Sequence, residues 1–268
     1  MAFPKILSHL LPATFFIVAN PVAARPENLS DFVLNVDFKK WKPGPYTIQM
    51  MAEDWNHPTW SEGAAKDSAH PDRVFIGSDS EEHSLFVRYP KGKVSTEGSV
   101  MWHAPIPPRE EYFLEYRVRF LSNFEWVKEG KLPGLGGGSL PSGGKTDSNG
   151  MTARFLWKGG GALKIYLYRA GQTARWGDEE DLKTKLVAGE WIRLKKRIRL
   201  NEPGEHDGQI EAWVNGERVY FRNDLIFRMN LASWKIDTFL FETFYGGGSS
   251  EYAPSRDNFS EFADFKVY

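Results

Sequence analysis

The sequence contains no cysteine and carries almost equal numbers of acidic and basic residues. The lack of cysteine excludes disulfide bonds, but 268 residues are enough to bury a hydrophobic core without them. The formal net charge of −1 argues against a general electrostatic attraction to nucleic acid or to an anionic membrane. The six histidines are scattered and follow no metal-binding motif, so no catalytic metal is expected.

Long hydrophobic runs are also scarce. The one apolar run, residues 6–19, follows Lys5 and leads to small residues that end at Ala24. This pattern predicts a secretory signal peptide over residues 1–24, and no other run approaches the roughly 20 apolar residues of a transmembrane helix. We therefore predict an exported protein, secreted or periplasmic, with a single domain over residues 25–268. We expect it to be a monomer that binds neither a membrane nor nucleic acid.

Helical periodicity is rare, whereas short alternating segments separated by turn residues recur along the chain. This pattern predicts one β-sandwich domain. The predicted strands are Thr47–Met51, Ser84–Tyr89, Ser99–Ala104, Tyr112–Phe120, Met151–Trp157, Leu163–Tyr168, Glu190–Leu200, Gln209–Val214, Glu217–Phe221, Ile236–Thr243 and Glu261–Val267. The longest irregular stretches are Ala52–His83 and Lys131–Asn149, and loops of that length are often functional. The ten tryptophans favour carbohydrate binding by stacking, although most of them are expected to fill the core.

The segment 151–168 is the most informative part of the chain. Two runs, Met151–Trp157 and Leu163–Tyr168, alternate with period 2 on either side of three consecutive glycines. One face is apolar, and the other carries Thr152, Arg154, Lys164, Tyr166 and Tyr168. A hairpin in which Arg154 faces Tyr166 keeps the two faces separate, whereas a shift by one residue would mix them. The sequence therefore predicts a cationic and phenolic patch on a hydrophobic sheet.

Several catalytic classes lack their motifs. No G-x-S-x-G elbow supports a serine nucleophile, and Gly134–Gly138 does not follow the order of a phosphate-binding loop. Glycoside hydrolysis needs two carboxylates about 5 to 9 Å apart. The contiguous acidic residues Asp178–Asp181 are interpreted as a solvated loop, and no alternating acidic strand is present. The basic row in Glu190–Leu200 is interpreted as a solvated face paired with carboxylates such as Glu211.

The remaining group, Lys131, Arg154, Tyr166 and Tyr168, suits a different reaction. A uronate polysaccharide can be cut without water when a base removes the C5 proton and the 4-linked oxygen leaves with a proton from an acid. The C5 proton becomes acidic enough only when the neighbouring carboxylate is neutralised by a cation or a strong hydrogen-bond donor. Arg154 fits that role through its bidentate fork, and a tyrosine beside a cation fits the role of base or acid. On spacing alone, an ordinary Tyr–Arg surface pair is the alternative.

These segments resemble polysaccharide lyase family 14, the alginate and glucuronan lyases. The resemblance lies in GKLPGLGG at 130–137, TARFLWK at 152–158 and YLY at 166–168, and it continues in FETFYGG at 241–247, YAPSRD at 252–257 and the closing strand at 262–268. It implies an all-β, concanavalin-like β-jelly-roll sandwich of two antiparallel sheets. It also implies that Lys131, Arg154, Tyr166 and Tyr168 form the catalytic group. Thr152 and Lys164, on the same face of the hairpin, are expected to bind the substrate.

The resemblance further implies an acidic polysaccharide, alginate or glucuronan, as the substrate. Two assignments of the base are open at this point. Tyr166 or Tyr168 removes the C5 proton and returns a proton to the departing oxygen, while Lys131 and Arg154 hold the carboxylate. Alternatively Lys131 is itself the base, because burial can lower the pKa of a lysine. A different functional class, a non-catalytic carbohydrate-binding module, would use the two tyrosines as a stacking platform.

Other polar residues are interpreted as structural. His103 and Arg88 lie on strands that could reach the same face, but they are left out of the catalytic group. No catalytic cofactor is expected. Asp37 and Asp264, near the two ends of the domain, are candidates for a structural calcium site.

Overall fold

The computed structural model describes residues 31–64, 73–79 and 82–268. The predicted signal peptide, residues 1–24, lies outside these ranges. Within them, sixteen strands form two antiparallel sheets, and the two α-helices are α1 (Ile48–Asp54) and α2 (Ser95–Gly98). No helix in the described ranges is long and apolar enough to span a bilayer. The fold is the all-β jelly-roll sandwich that the resemblance implied.

The larger sheet has nine strands. They are β1 (Leu34–Val36), β2 (Gly44–Pro45), β4 (Val74–Asp79), β5 (Glu82–Tyr89), β7 (Glu111–Phe120), β12 (Ile192–Arg199), β13 (Gly208–Val214), β14 (Glu217–Leu225) and β16 (Asn258–Val267). Their order is β14-β13-β12-β7-β16-β5-β4-β2, and β1 also pairs with β16.

The smaller sheet has seven strands and carries the candidate site. They are β3 (Trp60–Glu62), β6 (Val100–Arg109), β8 (Glu129–Gly138), β9 (Gly150–Lys158), β10 (Ala162–Tyr168), β11 (Asp178–Lys185) and β15 (Ile236–Tyr245). Their order is β11-β10-β9-β8-β15-β6-β3.

The core lies between the two sheets and is rich in aromatic rings. Trp55 stacks on Phe239 with ring centroids 5.1 Å apart, and Trp102 stacks on Phe241 at 3.8 Å. These two tryptophans and Trp157 are fully buried. They therefore fill the core, as was expected for most of the tryptophans, and cannot stack on a sugar.

The predicted hairpin register is confirmed. In the β9–β10 pair, Arg154 faces Tyr166 and Thr152 faces Tyr168, while Phe155 faces Ile165 in the core. The solvated interpretation of the basic row on β12 is also supported, because Arg197 lies 2.7 Å from Glu211 across the sheet. Period-2 patterning was sufficient for both predictions, since each strand has one apolar and one polar face.

The predicted strand Thr47–Met51 is wrong, because this segment opens helix α1. The Thr47 hydroxyl accepts a hydrogen bond from the backbone N–H of Met50, which caps the first turn. At the other end of the helix, buried Asp54 accepts hydrogen bonds from the Tyr46 hydroxyl at 2.6 Å and the Trp41 indole at 2.8 Å. The segment is too short for its apolar residues to distinguish a period of 2 from one of 3.6.

Parts of three segments predicted to be irregular are strands, and the first of them, Ala52–His83, contains β3 and β4. The first part of Lys131–Asn149 belongs to β8. Neighbouring atoms occupy the space where side chains of its glycines would be: a Cβ on Gly130 would lie 1.9 Å from the Trp157 ring. The acidic segment Asp178–Asp181 begins edge strand β11, which pairs with β10. Its carboxylates pair with cations, for example Glu179 with Lys164 on the neighbouring strand β10 at 2.8 Å. Cross-strand cations thus allow an acidic run to form a strand.

A β-bulge at Pro133 shapes the middle of β8. Leu132 pairs with Phe155, whereas Gly134 pairs with Arg154, so Pro133 is the extra residue. The bulge allows Leu132 and Leu135 to be buried in the same core, although a spacing of three would put them on opposite faces of a regular strand. Proline suits this position because it has no N–H to pair.

Lys196 holds the bulge from inside the core. It is fully buried on β12, and its Nζ donates to the carbonyl oxygens of Ala153 at 2.9 Å and Pro133 at 3.4 Å. Burial, and then the charge of Arg154, lower the pKa of Lys196 well below 10.5. The sequence carried a signal for this residue, because Lys196 occupies an inward position between Leu194 and Ile198.

We expect Lys196→Met to change how stability depends on pH. Between the lowered pKa of folded Lys196 and 10.5, the unfolded chain binds more protons, so the free energy of unfolding rises with pH. Lys196→Met removes this contribution, and its stability relative to the wild type should fall with increasing pH, by up to about 1.4 kcal/mol per pH unit. Urea unfolding between pH 7 and 10 measures the difference. Lys195→Met, on the opposite face, is the control, and a pH-independent difference would contradict the prediction.

The candidate calcium ligands have other partners. Asp264 Oδ2 lies 2.7 Å from Arg117 Nε, and Asp37 Oδ2 lies 3.7 Å from Lys39 Nζ. The described residues contain no group of three His, Cys, Asp or Glu side chains that could hold a metal ion. The structure therefore gives no support to a calcium site at these residues.

Candidate active site

A cleft of about 780 Å³ lies on the face of the seven-stranded sheet that points away from the core. Lys131, Arg154, Tyr166 and Tyr168, the four predicted catalytic residues, all line it. The hairpin places the last three on one face, and β8 brings Lys131 beside them from the other side of β9. The structure thus assembles the whole predicted catalytic group in one cleft.

One row of directly opposed residues crosses all seven strands of this sheet. The row runs Glu179, Tyr166, Arg154, Gly134, Leu240, His103, Trp60, from edge strand β11 to edge strand β3. Because neighbouring strands lie about 4.8 Å apart, six intervals span roughly 29 Å. Most of the row lines the cleft, which therefore runs across the strands and is longer than one sugar ring.

Arg154 is buried, and all three nitrogens of its guanidinium donate hydrogen bonds. Its Nε and Nη2 donate to the two carboxylate oxygens of Glu242 at 2.5 and 3.0 Å, and Nη1 donates to the Thr152 hydroxyl at 2.6 Å. The Thr152 hydroxyl donates in turn to the carbonyl oxygen of Pro141 at 2.8 Å. This bidentate geometry fixes the plane of the guanidinium at the floor of the cleft.

Glu242 is the counter-charge of the site. His103 Nε2 lies 3.0 Å from Glu242 Oε1, the same oxygen that accepts from Arg154. Burial would raise the pKa of Glu242, but the charge of Arg154 and the hydrogen bonds from His103 and Arg154 outweigh it and lower the pKa to about 2. Glu242 is therefore ionised throughout the physiological range and keeps Arg154 in place.

Lys131 has the properties of a base. Its Nζ lies 3.4 Å from the centroid of the Tyr166 ring. Burial lowers the pKa of Lys131 to about 7; the charges of Glu129 and Glu242 raise it, and that of Arg154 lowers it. A substantial fraction of the amine is consequently neutral near pH 7, which allows it to accept a proton.

The two tyrosine hydroxyls lie next to each other. Their oxygens are 3.2 Å apart; the backbone N–H of Gly177 donates to Tyr166 at 3.2 Å, and that of Gly144 donates to Tyr168 at 2.9 Å. Burial, and then the hydrogen bond with Tyr168, raise the pKa of Tyr166 above its ordinary value of 10. Tyr166 therefore stays protonated at neutral pH, which suits a proton donor better than a base.

The two predicted substrate-binding residues, Thr152 and Lys164, do not belong to the cleft lining. Thr152 has no exposed surface and lies beneath Arg154, so the geometry gives it a role in orienting Arg154. Lys164 Nζ pairs with Glu179 at 2.8 Å, and Lys164 does not belong to the cleft lining. Glu179 also pairs with Lys158 at 2.8 Å, so these residues form an ion-pair network at the rim.

Sequence reasoning missed Glu242 and set His103 aside, although both line the cleft. Glu242 did carry a signal: it is the one carboxylate among residues 239–245 of β15, between the buried residues Phe241 and Thr243. His103 had no comparable signal, because its contact with Glu242 joins residues 139 positions apart. Only the β6–β15 pairing brings the two side chains together.

A family profile described as Polysaccharide lyase 14 matches residues 77–265. The comparison with curated proteins gave no match.

Several solved structures share the fold. A double mutant of alginate lyase Aly36B, in complex with an alginate trisaccharide, is 24% identical with a TM-score of 0.77, over 87% of this chain and 96% of that one. The PL-14 alginate lyase from Aplysia kurodai is 22% identical with a TM-score of 0.76, over 88% and 98%. An endo-β-1,4-glucuronan lyase from the fungus Trichoderma reesei is 12% identical with a TM-score of 0.53, over 79% and 91%.

Proposed function

Because the chain belongs to polysaccharide lyase family 14 and is a polysaccharide lyase, we propose that it cleaves a 1,4-linked uronate polysaccharide, alginate or glucuronan, by β-elimination. The observation that carries the proposal is the convergence of Lys131, Arg154, Tyr166 and Tyr168 in one cleft. The alginate and glucuronan lyases that share the fold support this substrate class. The proposal includes export, which rests on the N-terminal sequence alone.

Arg154 and Lys131 have distinct roles in the proposed reaction. Arg154 faces the uronate carboxylate and stabilises the charge that develops when the C5–H bond breaks. The neutral amine of Lys131 accepts the C5 proton, because its lowered pKa makes it a base near pH 7, whereas the raised pKa of Tyr166 disfavours a phenolate. The ammonium formed on Lys131 then adds a second positive charge beside the carboxylate.

The tyrosine pair completes the proton balance. The electron pair of the C5–H bond forms the C4–C5 double bond while the bond from C4 to the glycosidic oxygen breaks. The departing oxygen takes a proton from the Tyr166–Tyr168 pair, whose hydroxyls share a hydrogen bond. Proton transfer from the Lys131 ammonium, which lies over the Tyr166 ring, to the phenolate restores the starting state.

A substrate panel tests the reaction class. We would incubate the protein with alginate, glucuronan and a neutral glucan, and follow ultraviolet absorbance of the unsaturated uronate together with reducing ends. The proposal predicts that both signals rise together with a uronate polymer and that neither rises with the glucan. Reducing ends without absorbance would indicate hydrolysis and refute the elimination.

We expect kcat/KM to rise with pH through about 7. Lys131 must be neutral to act as the base, and its pKa in the free enzyme is about 7, so activity is low below that value and levels off above it. The bound uronate carboxylate stabilises the ammonium form of Lys131 and raises its pKa, so the corresponding rise of kcat should occur at higher pH. Initial rates by absorbance between pH 5 and 10 give both profiles.

Two variants test whether Lys131 is the group that causes this rise of kcat/KM with pH. The charge of Glu129 raises the pKa of Lys131, so Glu129→Gln should move the rise to lower pH. His103 also lines the cleft, but His103→Gln should leave a rise near pH 7 if Lys131 is responsible. A rise that disappears in His103→Gln, or one that lies near pH 10, would contradict the assignment of the base.

A further inference from the structure

Two exposed tryptophans mark the two ends of the cleft. Within the described ranges, the large exposed side chains include two tryptophans, Trp60 at 42% and Trp176 at 55% of full exposure, and both line the cleft. Trp60 lies on edge strand β3, and Trp176 lies two residues before edge strand β11. Within the described residues, both exposed indoles thus lie at the ends of this cleft, and apolar surface rimmed by polar groups is typical of a ligand-binding groove.

Trp60 is tied to the centre of the site through His103. The ring centroids of Trp60 and His103 are 4.9 Å apart. His103 is hydrogen-bonded to Glu242, which in turn accepts hydrogen bonds from Arg154. Trp60 and His103 are also directly opposed in the β3–β6 pair. The position of the indole is therefore fixed relative to the guanidinium, with part of its surface left open to the cleft.

Trp176 is tied to the centre from the other side. A Cβ on Gly144 would lie 2.9 Å from its ring, so the indole packs directly on the backbone whose N–H donates to Tyr168. The side-chain amide of Gln172 donates to the carbonyl oxygen of Trp176 at 3.3 Å and helps hold the segment. The Arg175 guanidinium carbon lies 5.2 Å from the Trp176 ring centroid.

We propose that Trp60 and Trp176 are stacking platforms for uronate rings, one on each side of the bond that is cleaved. This inference rests on the proposed function and assigns it two outer subsites. A flat indole covers the C–H face of a sugar ring, and the Arg175 guanidinium beside Trp176 can pair with a carboxylate. A neutral sugar chain would make no use of that guanidinium. The enzyme therefore binds the chain on both sides of the cleavage point, as an endo-acting lyase does.

Kinetics on substrates of different length test the proposal. For each of Trp60→Ala and Trp176→Ala, kcat/KM on the polymer should fall about tenfold relative to kcat/KM on the shortest oligouronate that is still cleaved. That is the effect expected when roughly 50 Å² of apolar contact is lost. Tryptophan→Phe variants, which keep a smaller ring, should recover part of the loss. Phe221→Ala, which removes an exposed aromatic ring from the other sheet, is the control.

Binding measured without cleavage distinguishes the inference of stacking platforms from the proposed lyase function. In a Lys131→Ala background, electrophoresis in gels containing the cleaved polymer, alginate or glucuronan, should show weaker retardation for each Trp→Ala variant than for Phe221→Ala. Equal retardation, or an equal fall of kcat/KM on short and long substrates, would overturn the platforms while leaving the lyase assignment intact. A wild-type protein that cleaves no uronate polymer would instead refute the proposed function.

Discussion

Lys131→Ala is expected to lower kcat on a uronate polymer by about 10²–10⁴-fold, the usual contribution of a positioned general base. The amine lies directly over the Tyr166 ring, and its pKa is lowered to about 7 by burial. Alanine leaves a space where the amine was and removes the group that is proposed to accept the C5 proton. Absorbance of the unsaturated product measures the loss.

Added primary amines should restore part of the activity of Lys131→Ala. A small amine can occupy the space left by the side chain, and the recovered rate should follow the concentration of its neutral form. Lys183→Ala is the matched control, because Lys183 is an exposed lysine on β11 that pairs with Asp181. Retention of most activity in Lys131→Ala, with a loss of activity in Tyr166→Phe and Tyr168→Phe, would reverse the assignment of base and acid.

Glu242→Gln is expected to reduce both stability and activity. The amide replaces one of the two accepting oxygens with an NH2 donor, so it cannot pair with Arg154 through both of its terminal atoms. It also leaves a guanidinium that is 2% exposed without its counter-charge. Breaking a buried ion pair from one side costs about 3–5 kcal/mol of the free energy of unfolding. Displacement of Arg154 relative to the uronate carboxylate should also lower kcat by about 10²-fold. Urea unfolding and initial rates measure the two effects.

The variant Glu261→Gln is a control that distinguishes the loss of stability from the loss of activity. Glu261 is also buried and accepts hydrogen bonds from Arg119 Nε at 3.0 Å and Nη2 at 2.9 Å, but it lies on the nine-stranded sheet. This variant should lose stability while kcat stays at the wild-type value. If Glu242→Gln were stable but inactive, the carboxylate would act on the substrate directly. If it were unstable but fully active, Arg154 would not need this anchor.

The sequence by itself was enough to predict the hairpin and its register. The alternation in Met151–Trp157 and Leu163–Tyr168 allows only one pairing that keeps apolar and polar faces apart. It placed Arg154, Tyr166 and Tyr168 on one face, and local motifs indicated the lyase family. Such features depend on residues close together in the chain, and period 2 is visible without knowing the neighbours of a strand.

Other features depended on contacts between distant parts of the chain. Arg154 and Glu242 are 88 positions apart, and only the arrangement of β9, β8 and β15 brings them together. The glycine-rich run after Glu129 forms strand β8, where neighbouring backbone and side-chain atoms come so close that a Cβ would not fit, and composition alone does not show this.

The pKa of Lys131 and the exposure of Trp60 and Trp176 were likewise decided by the tertiary structure. Burial is a property of the packed molecule, and it changes the charge of a lysine and the availability of an indole without any change in sequence. The chain therefore encodes locally which side chains face the cleft. The assembled sheets decide which of them are charged, which are held in place and which are open to a sugar.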